Sequence, residues 1–93
     1  MTHEIRNIEN KMTVKEAIDE IIKLYGEPKT KVSTNYNFRV ENETELPWGQ
    51  KVYYSAEYDE VDNKVLKCLA KSFDFAFLGN GKLCAVVVNF EVM

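Results

Sequence analysis

The sequence predicts an α+β fold in which one main helix packs on an antiparallel sheet of about four strands. Three observations support this prediction: a capped amphipathic segment over residues 13–25, a two-residue periodicity after it, and an Asn-Gly dipeptide between two apolar runs. The length of 93 residues suits one domain spanning 1–93, because typical domains contain about 100–150 residues.

The main helix is predicted over residues 13–25. It begins at a capping box, in which the hydroxyl of Thr13 accepts a hydrogen bond from the amide of Glu16 and the glutamate carboxylate reaches back. Gly26 and Pro28 end the helix, since glycine favours the left-handed conformation found after a helix and proline cannot continue one. The apolar side chains recur at helical spacing on one face: Val14, Ala17, Ile18, Ile21, Ile22 and Tyr25.

Two strands are predicted after the helix, over residues 31–41 and 51–59, because apolar and polar residues alternate along both. The residues between them include a proline, a glycine and the only tryptophan, Trp48, and they predict a loop. In the second strand, Tyr53 is expected to point away from the apolar side, which carries Val52, Tyr54, Ala56 and Tyr58.

The C-terminal part predicts a β-hairpin with strands over 64–77 and 82–92. The dipeptide Asn80-Gly81 favours a two-residue type I′ turn, whose central residues both need positive φ. This register places Cys84 opposite Phe77 and away from Cys68, so no disulfide is expected. Two further apolar pairs follow from the same register: Phe75 with Val86, and Phe73 with Val88.

Two segments fit more than one structure. Ile5 and Ile8 lie three positions apart, which allows a short helical lead at the N-terminus. Residues 60–71 fit a strand or, as the alternative, a second helix, and propensity does not decide between the two. A strand through this segment points Lys67 and Lys71 toward the phenylalanine face unless a bulge intervenes.

Charge and composition narrow the classes of function. The net charge of −3 argues against direct nucleic-acid binding, which is typical of basic domains with a pI above about 9. No apolar run approaches the roughly 20 residues of a membrane span, so we expect no membrane association. The polar N-terminus is unlike a secretory signal, and the two cysteines form no CxxC motif. These features predict a cytoplasmic protein with free thiols.

The residues show no pattern of catalysis or metal binding, so we expect no enzyme activity, no cofactor and no metal. The single histidine, His3, has no second histidine with which to form a proton relay. Ser33, Ser55 and Ser72 lack the strained GxSxG elbow of a serine nucleophile. The acidic segment 59–63 lacks the alternate ligands and the glycine of a calcium loop.

Short motifs follow one another in a suggestive order along most of the chain. Lys11-Met12-Thr13 precedes the helix, Tyr25-Gly26-Glu27-Pro28 closes it, and Lys51-Val52-Tyr53-Tyr54 comes before the aromatic segment 73–83. This order resembles the SmpA/OmlA-type module and the β-lactamase-inhibitor-like domains. The resemblance implies a helix on an antiparallel meander and a module that binds other proteins without catalysis. Those modules are usually exported or lipid-anchored, whereas this sequence shows no signal or lipobox.

Surface recognition is therefore the expected mode of action, because a few aromatic or arginine anchors supply most of the energy of an interface. Trp48 and Tyr53 are the candidate anchors, and Glu41, Glu43 and Glu45 form an acidic surround. Two alternatives stay open at this point: Trp48 folds back to cap the core, and Tyr53 packs against Ser72 across the sheet.

We thus expect a non-catalytic protein-binding module: a small acidic inhibitor or adaptor, of the immunity or phage anti-defence type, that occupies the surface of another protein. Its acidic clusters, over 41–45 and 57–62, either mimic nucleic-acid phosphates or form solvated loops. One alternative is an SmpA/OmlA-like scaffold subunit of a larger assembly, and another is a small-molecule-binding domain. The sequence also leaves a homodimer open.

Overall fold

The computed structural model describes residues 1–45 and 47–91, without the side chains of residues 43–45 and 51–52. It confirms the α+β class, with a main helix on one face of a sheet. The described elements, in chain order, are β1 (Thr2–Asn7), α1 (Val14–Tyr25), β2 (Asn37–Glu45), β3 (Lys51–Glu57), α2 (Asn63–Leu66), β4 (Leu69–Phe77) and β5 (Leu83–Glu91).

The five strands form one mixed sheet in the order β1-β4-β5-β2-β3. Three neighbouring pairs are antiparallel, and β2 runs parallel to β5. The prediction of an antiparallel sheet of about four strands is therefore wrong in strand number and in one pairing. β1 and β2 run in the same direction with β4 and β5 inserted between them, and α1 makes the crossover that such a connection requires.

The main helix is confirmed, because α1 begins after Thr13 and ends before Gly26. The hydroxyl of Thr13 accepts from the amide of Glu16 at 3.2 Å, and the carboxylate of Glu16 accepts from the amide of Thr13 at 3.1 Å. Gly26 has a φ of 83° and donates its amide hydrogen to the carbonyl of Ile22. Four residues on the inner face of the helix are buried in the core: Val14, Ala17, Ile18 and Ile21.

The bounds of three predicted strands and the predicted N-terminal lead need correction. The lead is a strand, β1, because its residues pair with β4 and the helical spacing of Ile5 and Ile8 is accidental. The strand predicted over 31–41 is observed as Asn37–Glu45. It begins late, since the carbonyl of Pro28 accepts from the amides at 35 and 36 and holds the preceding residues in a loop, and it continues past residue 41 because it pairs with β3 as far as Glu45. The strand predicted over 51–59 ends at Glu57. The last predicted strand, 82–92, is observed as Leu83–Glu91, and residue 92 lies outside the described part.

The ambiguous segment 60–71 contains both of the structures that its sequence allows. Asp62 caps the short helix α2 by accepting from the amide of Lys64, and β4 then starts at Leu69, so the strand predicted over 64–77 begins five positions late. Ala70 pairs with Phe90 and Ser72 pairs with Asn89, so Lys71 between them has no partner residue on β5. This bulge leaves Lys71 exposed and prevents it from pointing into the core.

The C-terminal hairpin keeps the predicted pairs Phe75–Val86 and Phe73–Val88, but its turn differs from the prediction. The amide of Leu78 donates to the carbonyl of Lys82, so the loop has three residues, and of these only Gly81 has positive φ. Phe77 consequently lies opposite Leu83 and not opposite Cys84. Cys84 has no partner on β4, because the register shifts by one residue between Ala76 and Phe77. The longer loop and this irregularity each shift the register by one residue, and the two shifts cancel.

The core lies between α1 and one face of the sheet, which we call the core face. Side chains from β2, β4 and β5 meet the helix there, and α2 adds Val65 and Leu66 at the margin. As predicted, Tyr54 of β3 and Tyr58, which follows β3, pack against this core. The buried sheet residues on the core face include Phe38, Val40, Phe75, Val86, Val88 and Phe90.

Candidate functional site

The opposite face of the sheet, which we call the open face, lies away from both helices. The strand pairings align its side chains in rows, because alternate residues of each strand point to the same side. One row consists of Ile5, Asp74, Val87, Arg39 and Glu57. The next row consists of Asn7, Ser72, Asn89, Glu41 and Ser55.

The exposure of these side chains shows a surface with small residues in the middle and large ones at its margins. Ser72 and Ala76 on the inner strand β4 are buried by their neighbours, with 8% and 9% of their surface exposed. At the margins, Ile5 on β1 is 69% exposed and Tyr53 on β3 is 62% exposed.

Three side chains of β2 and β3 form a hydrogen-bonded group on the open face. Nε of Arg39 donates to Oγ of Ser55 at 2.9 Å, and Oγ of Ser55 donates to Oε2 of Glu41 at 3.2 Å. The arginine Nε also lies 3.9 Å from the same carboxylate oxygen. Within the described residues, Arg39 makes these contacts through Nε, so the terminal nitrogens of its guanidinium group are available to a carboxylate of a partner.

Tyr53 lies beside this group, on the same face of the sheet. Hydrogen bonding to the carboxylate of Glu41 raises the pKa of the Tyr53 hydroxyl, and partial desolvation and the charge of Glu41 add to the effect. Like an unperturbed tyrosine, the phenol is protonated at neutral pH, and it can donate a hydrogen bond. The predicted orientation of Tyr53, away from the core, is confirmed, and its exposed ring does not pack on Ser72, which lies three strands away.

Trp48 lies in the turn between β2 and β3 with 72% of its surface exposed. Its indole nitrogen donates to Oε1 of Gln50 at 3.1 Å, which orients the ring within the turn. The alternative in which Trp48 folds back to cap the core is therefore wrong. A tryptophan at this exposure leaves most of its large apolar surface in contact with water.

The five predicted site residues are thus brought to one hairpin, although the structure describes only some of their side chains. Glu41 and Tyr53 interact directly, and Trp48 follows at the end of the same hairpin. Glu43 pairs with Tyr53 along the backbone and Glu45 pairs with Lys51, but the side chains of both glutamates lie outside the described residues.

Sequence reasoning missed Arg39 and Ser55 as parts of this surface. The signal was present, because Arg39 and Glu41 are two positions apart on one strand and therefore share a face. Ser55 joins them only through the register of β2 and β3, which places it opposite Glu41. The loop between the two strands is not a short turn of a standard type that would fix their pairing, so this register does not follow from the sequence.

A second cluster of polar side chains lies at the other end of the same hairpin, where β3 ends. Nζ of Lys29 lies 2.8 Å from Glu57 and 3.1 Å from Asp59, and these hydrogen bonds raise the pKa of the lysine ammonium group. The ammonium group also lies 5.8 Å from the centre of the Tyr58 ring. Lys29 therefore ties the loop after α1 to the end of β3, beside a cavity of about 110 Å³.

The serine of the hydrogen-bonded group on the open face lies far from the single histidine of the sequence. Ser55 is on β3 and His3 is on β1 at the opposite edge, four strand spacings or about 19 Å away, so they cannot form a nucleophile–base pair. Among the described residues, no group of three or more His, Cys, Asp or Glu side chains is placed to hold a metal ion. Cys68 and Cys84 are both half-buried free thiols.

Neither described helix has the length and apolar character that crossing a membrane requires. Comparison with known proteins adds no functional information: no family model matches the chain, and neither the curated proteins nor the solved structures contain a significant match. The resemblance to SmpA/OmlA-type modules therefore stays a prediction.

Proposed function

We propose that this chain is a non-catalytic protein-binding module, a small acidic inhibitor or adaptor that occupies the surface of a partner protein. The observation that carries the proposal is the exposure of Tyr53, near Arg39 on the open face, and of Trp48 in the turn of the same hairpin. Tryptophan, tyrosine and arginine are the residue types most enriched among the energetically dominant contacts of interfaces.

The polar contacts of the open face support recognition of a protein. Ser55 is held between Arg39 and Glu41, so each hydrogen-bonding group already has its direction before a partner arrives. A surface ordered in advance loses less side-chain entropy on binding than a mobile one. Arginine, hydroxyl and carboxylate groups around an exposed phenol match the polar rim that surrounds an aromatic anchor.

Charge indicates the kind of partner. The chain carries a net charge of −3, and β2 presents glutamates at positions 41, 43 and 45 on alternate residues leading to the turn. A partner with basic side chains at the margin of its site, and a pocket for an aromatic ring, fits this arrangement. Opposite charges at the margin of an interface mainly accelerate association and select the partner.

The test is affinity capture from cells that produce the protein, followed by measurement of the dissociation constant with the purified partner. Tyr53→Ala and Trp48→Ala are each expected to weaken binding by about tenfold or more, as for central aromatic contacts. Replacing Glu43 and Glu45 together by Lys should slow association with a basic partner.

Lys23→Ala provides the matched control, because Lys23 is exposed on α1 on the other side of the molecule. We expect it to change the dissociation constant by less than about twofold. Equal binding by the wild-type protein and both aromatic variants would contradict the proposal. Saturable thermal stabilisation by a metabolite, without a protein partner, would favour a small-molecule-binding domain instead.

A further inference from the structure

The two outer strands of the sheet, β1 and β3, each leave one backbone edge without a partner strand among the described residues. All six residues of β1 are exposed, and the strand pairs with β4 in unbroken register from Thr2 to Asn7. Proteins protect such edges with proline, bulges, charged side chains or a covering element. β1 has no proline and no bulge in its register, and its charged side chains, Glu4 and Arg6, are of opposite sign, so a strand with complementary charges can pair with its outer edge.

The direction of the hydrogen bonds identifies which residues of β1 are available. The amide of Ile8 donates to the carbonyl of Lys71, at the end of the β1–β4 ladder. Because residues of an antiparallel strand alternate in the direction of their backbone groups, residues 2, 4 and 6 also face β4. His3, Ile5 and Asn7 therefore direct their amide and carbonyl groups to the outer edge, and Ile5 lies at the centre of this set.

We propose that β1 pairs with β1 of a second copy of this chain, antiparallel and across a two-fold axis at Ile5. This register uses every outward-facing backbone group. Ile5 of each copy bonds to Ile5 of the other, and each His3 bonds to Asn7 of the other copy, which makes six hydrogen bonds. A two-fold axis at any other residue leaves part of this set unpaired.

Charge complementarity selects the same occupant. Glu4 and Arg6 share the core side of β1, and their side chains form an ion pair at 3.3 Å within one copy. In the proposed register, Glu4 of each copy lies directly opposite Arg6 of the other. The four charges then alternate in sign around the two-fold axis, an arrangement that favours a second copy over a strand of unrelated sequence.

Apolar side chains flank the same edge on both sides of the sheet. Ile5, 69% exposed on the open face, meets Ile5 of the second copy at the axis. On the core side, Leu24 is 60% exposed and lines a groove of about 270 Å³ between α1 and β1. The dimer joins two sheets of five strands into one of ten and doubles the open face, and it does not depend on the function proposed above.

Sedimentation velocity of the wild-type protein, from low micromolar to several hundred micromolar, tests the proposal together with two charge variants. The wild-type protein is expected to dimerise. Glu4→Arg makes both positions positive and Arg6→Glu makes both negative, so each variant alone should dimerise at least about tenfold more weakly. An equimolar mixture of the two variants restores both opposite-charge contacts and should form a heterodimer.

The control is the exposed ion pair between Lys15 and Asp19 on α1, which has the same 3.3 Å separation as the pair on β1. Lys15→Glu and Asp19→Lys should leave the dimer constant within about twofold. Amide exchange gives an independent measure of the register. Protection of Ile5 and Asn7 should rise with protein concentration, whereas Arg6, which bonds to β4, should be protected at all concentrations.

A wild-type protein that stays monomeric throughout the concentration range would overturn the proposal. Charge variants that dimerise as well as the wild-type protein, or a mixture that does not recover the heterodimer, would also overturn it. Circular dichroism of each variant shows whether the fold is retained. Since no partner protein is present in these experiments, their failure would leave the proposed protein-binding function untouched.

Discussion

Tyr36 donates a hydrogen bond from its phenolic hydroxyl to the backbone carbonyl of Gly26 at 2.6 Å. This contact joins Gly26, the residue after α1, to Tyr36, the residue before β2. Tyr36 is buried, with 5% of its surface exposed, and its ring contacts both Tyr25 and Phe38. The hydrogen bond and the ring contacts together hold the crossover between β1 and β2 in place.

Removing this hydroxyl should destabilise the protein. Tyr36→Phe keeps the ring contacts but leaves the Gly26 carbonyl to water, so the free energy of unfolding is expected to fall by about 1 kcal/mol at pH 7. Urea denaturation followed by circular dichroism measures the difference. A variant as stable as the wild-type protein would show that the hydrogen bond contributes nothing net.

The same residue predicts a pH dependence. Burial, with a contribution from the charge of Glu27, raises the pKa of Tyr36 to about 12 in the folded protein. The unfolded value is about 10, so the stabilisation is fully present below pH 10 and is lost as the pH rises toward 12. The stability difference between the wild-type protein and Tyr36→Phe should therefore shrink above pH 10. A difference that stays constant or grows from pH 9 to pH 11.5 would contradict this assignment.

Thr13 should contribute to stability through the capping box. Thr13→Ala removes the hydroxyl that accepts from the amide of Glu16, and we expect a loss of about 1 kcal/mol in the free energy of unfolding. Thr13→Ser keeps the acceptor and should lose much less. Equal losses in the two variants, measured by thermal or urea denaturation, would assign the effect to the methyl group instead.

The three-residue hairpin loop is tested by a matched pair of glycine substitutions. A Cβ at Gly79 or at Gly81 would meet no atom within 4 Å, but only Gly81 has a positive φ, of 82°. Gly81→Ala should therefore cost about 1–2 kcal/mol, whereas Gly79→Ala should be neutral or slightly stabilising. Comparable losses at both positions would contradict this loop, in which Gly79 has no positive φ.

Exposed and buried aromatic residues should separate binding from stability. Trp48→Ala is expected to change the free energy of unfolding by no more than about 0.5 kcal/mol, since the side chain is exposed. Phe75→Ala should cost about 3–5 kcal/mol, because Phe75 is 2% exposed and contacts the rings of Phe73, Phe77 and Tyr25. A large loss in Trp48→Ala would show that the tryptophan supports the fold.

Local interactions explain which parts of the fold could be predicted from the sequence. The capping box at Thr13 and the glycine after Tyr25 are contacts within a few residues, and α1 has the predicted limits. The orientation of Tyr53 follows from the two-residue period of a strand. The pairs Phe75–Val86 and Phe73–Val88 were predicted correctly although the turn was wrong, because the bulge beside Ala76 compensates for the longer loop.

Pairings between distant segments explain what was missed. β1 has no apolar alternation of its own, and it becomes a strand only because β4 offers an edge. The parallel pairing of β2 with β5 joins segments that have two strands and a helix between them in the sequence. No turn motif predicts such a pairing. Arg39 and Ser55 belong to the candidate site for the same reason, since the register of β2 with β3 brings them together.

The measurement that tests the central claim most directly is site-specific photocrosslinking from the open face. A photoreactive amino acid at position 53 samples molecules that contact the candidate surface, and the same group at position 23 samples the exposed side of α1. The account predicts one crosslinked partner protein from position 53 and none from position 23. Crosslinking from position 23 alone, or with equal yield from both positions, would contradict a binding surface on the open face.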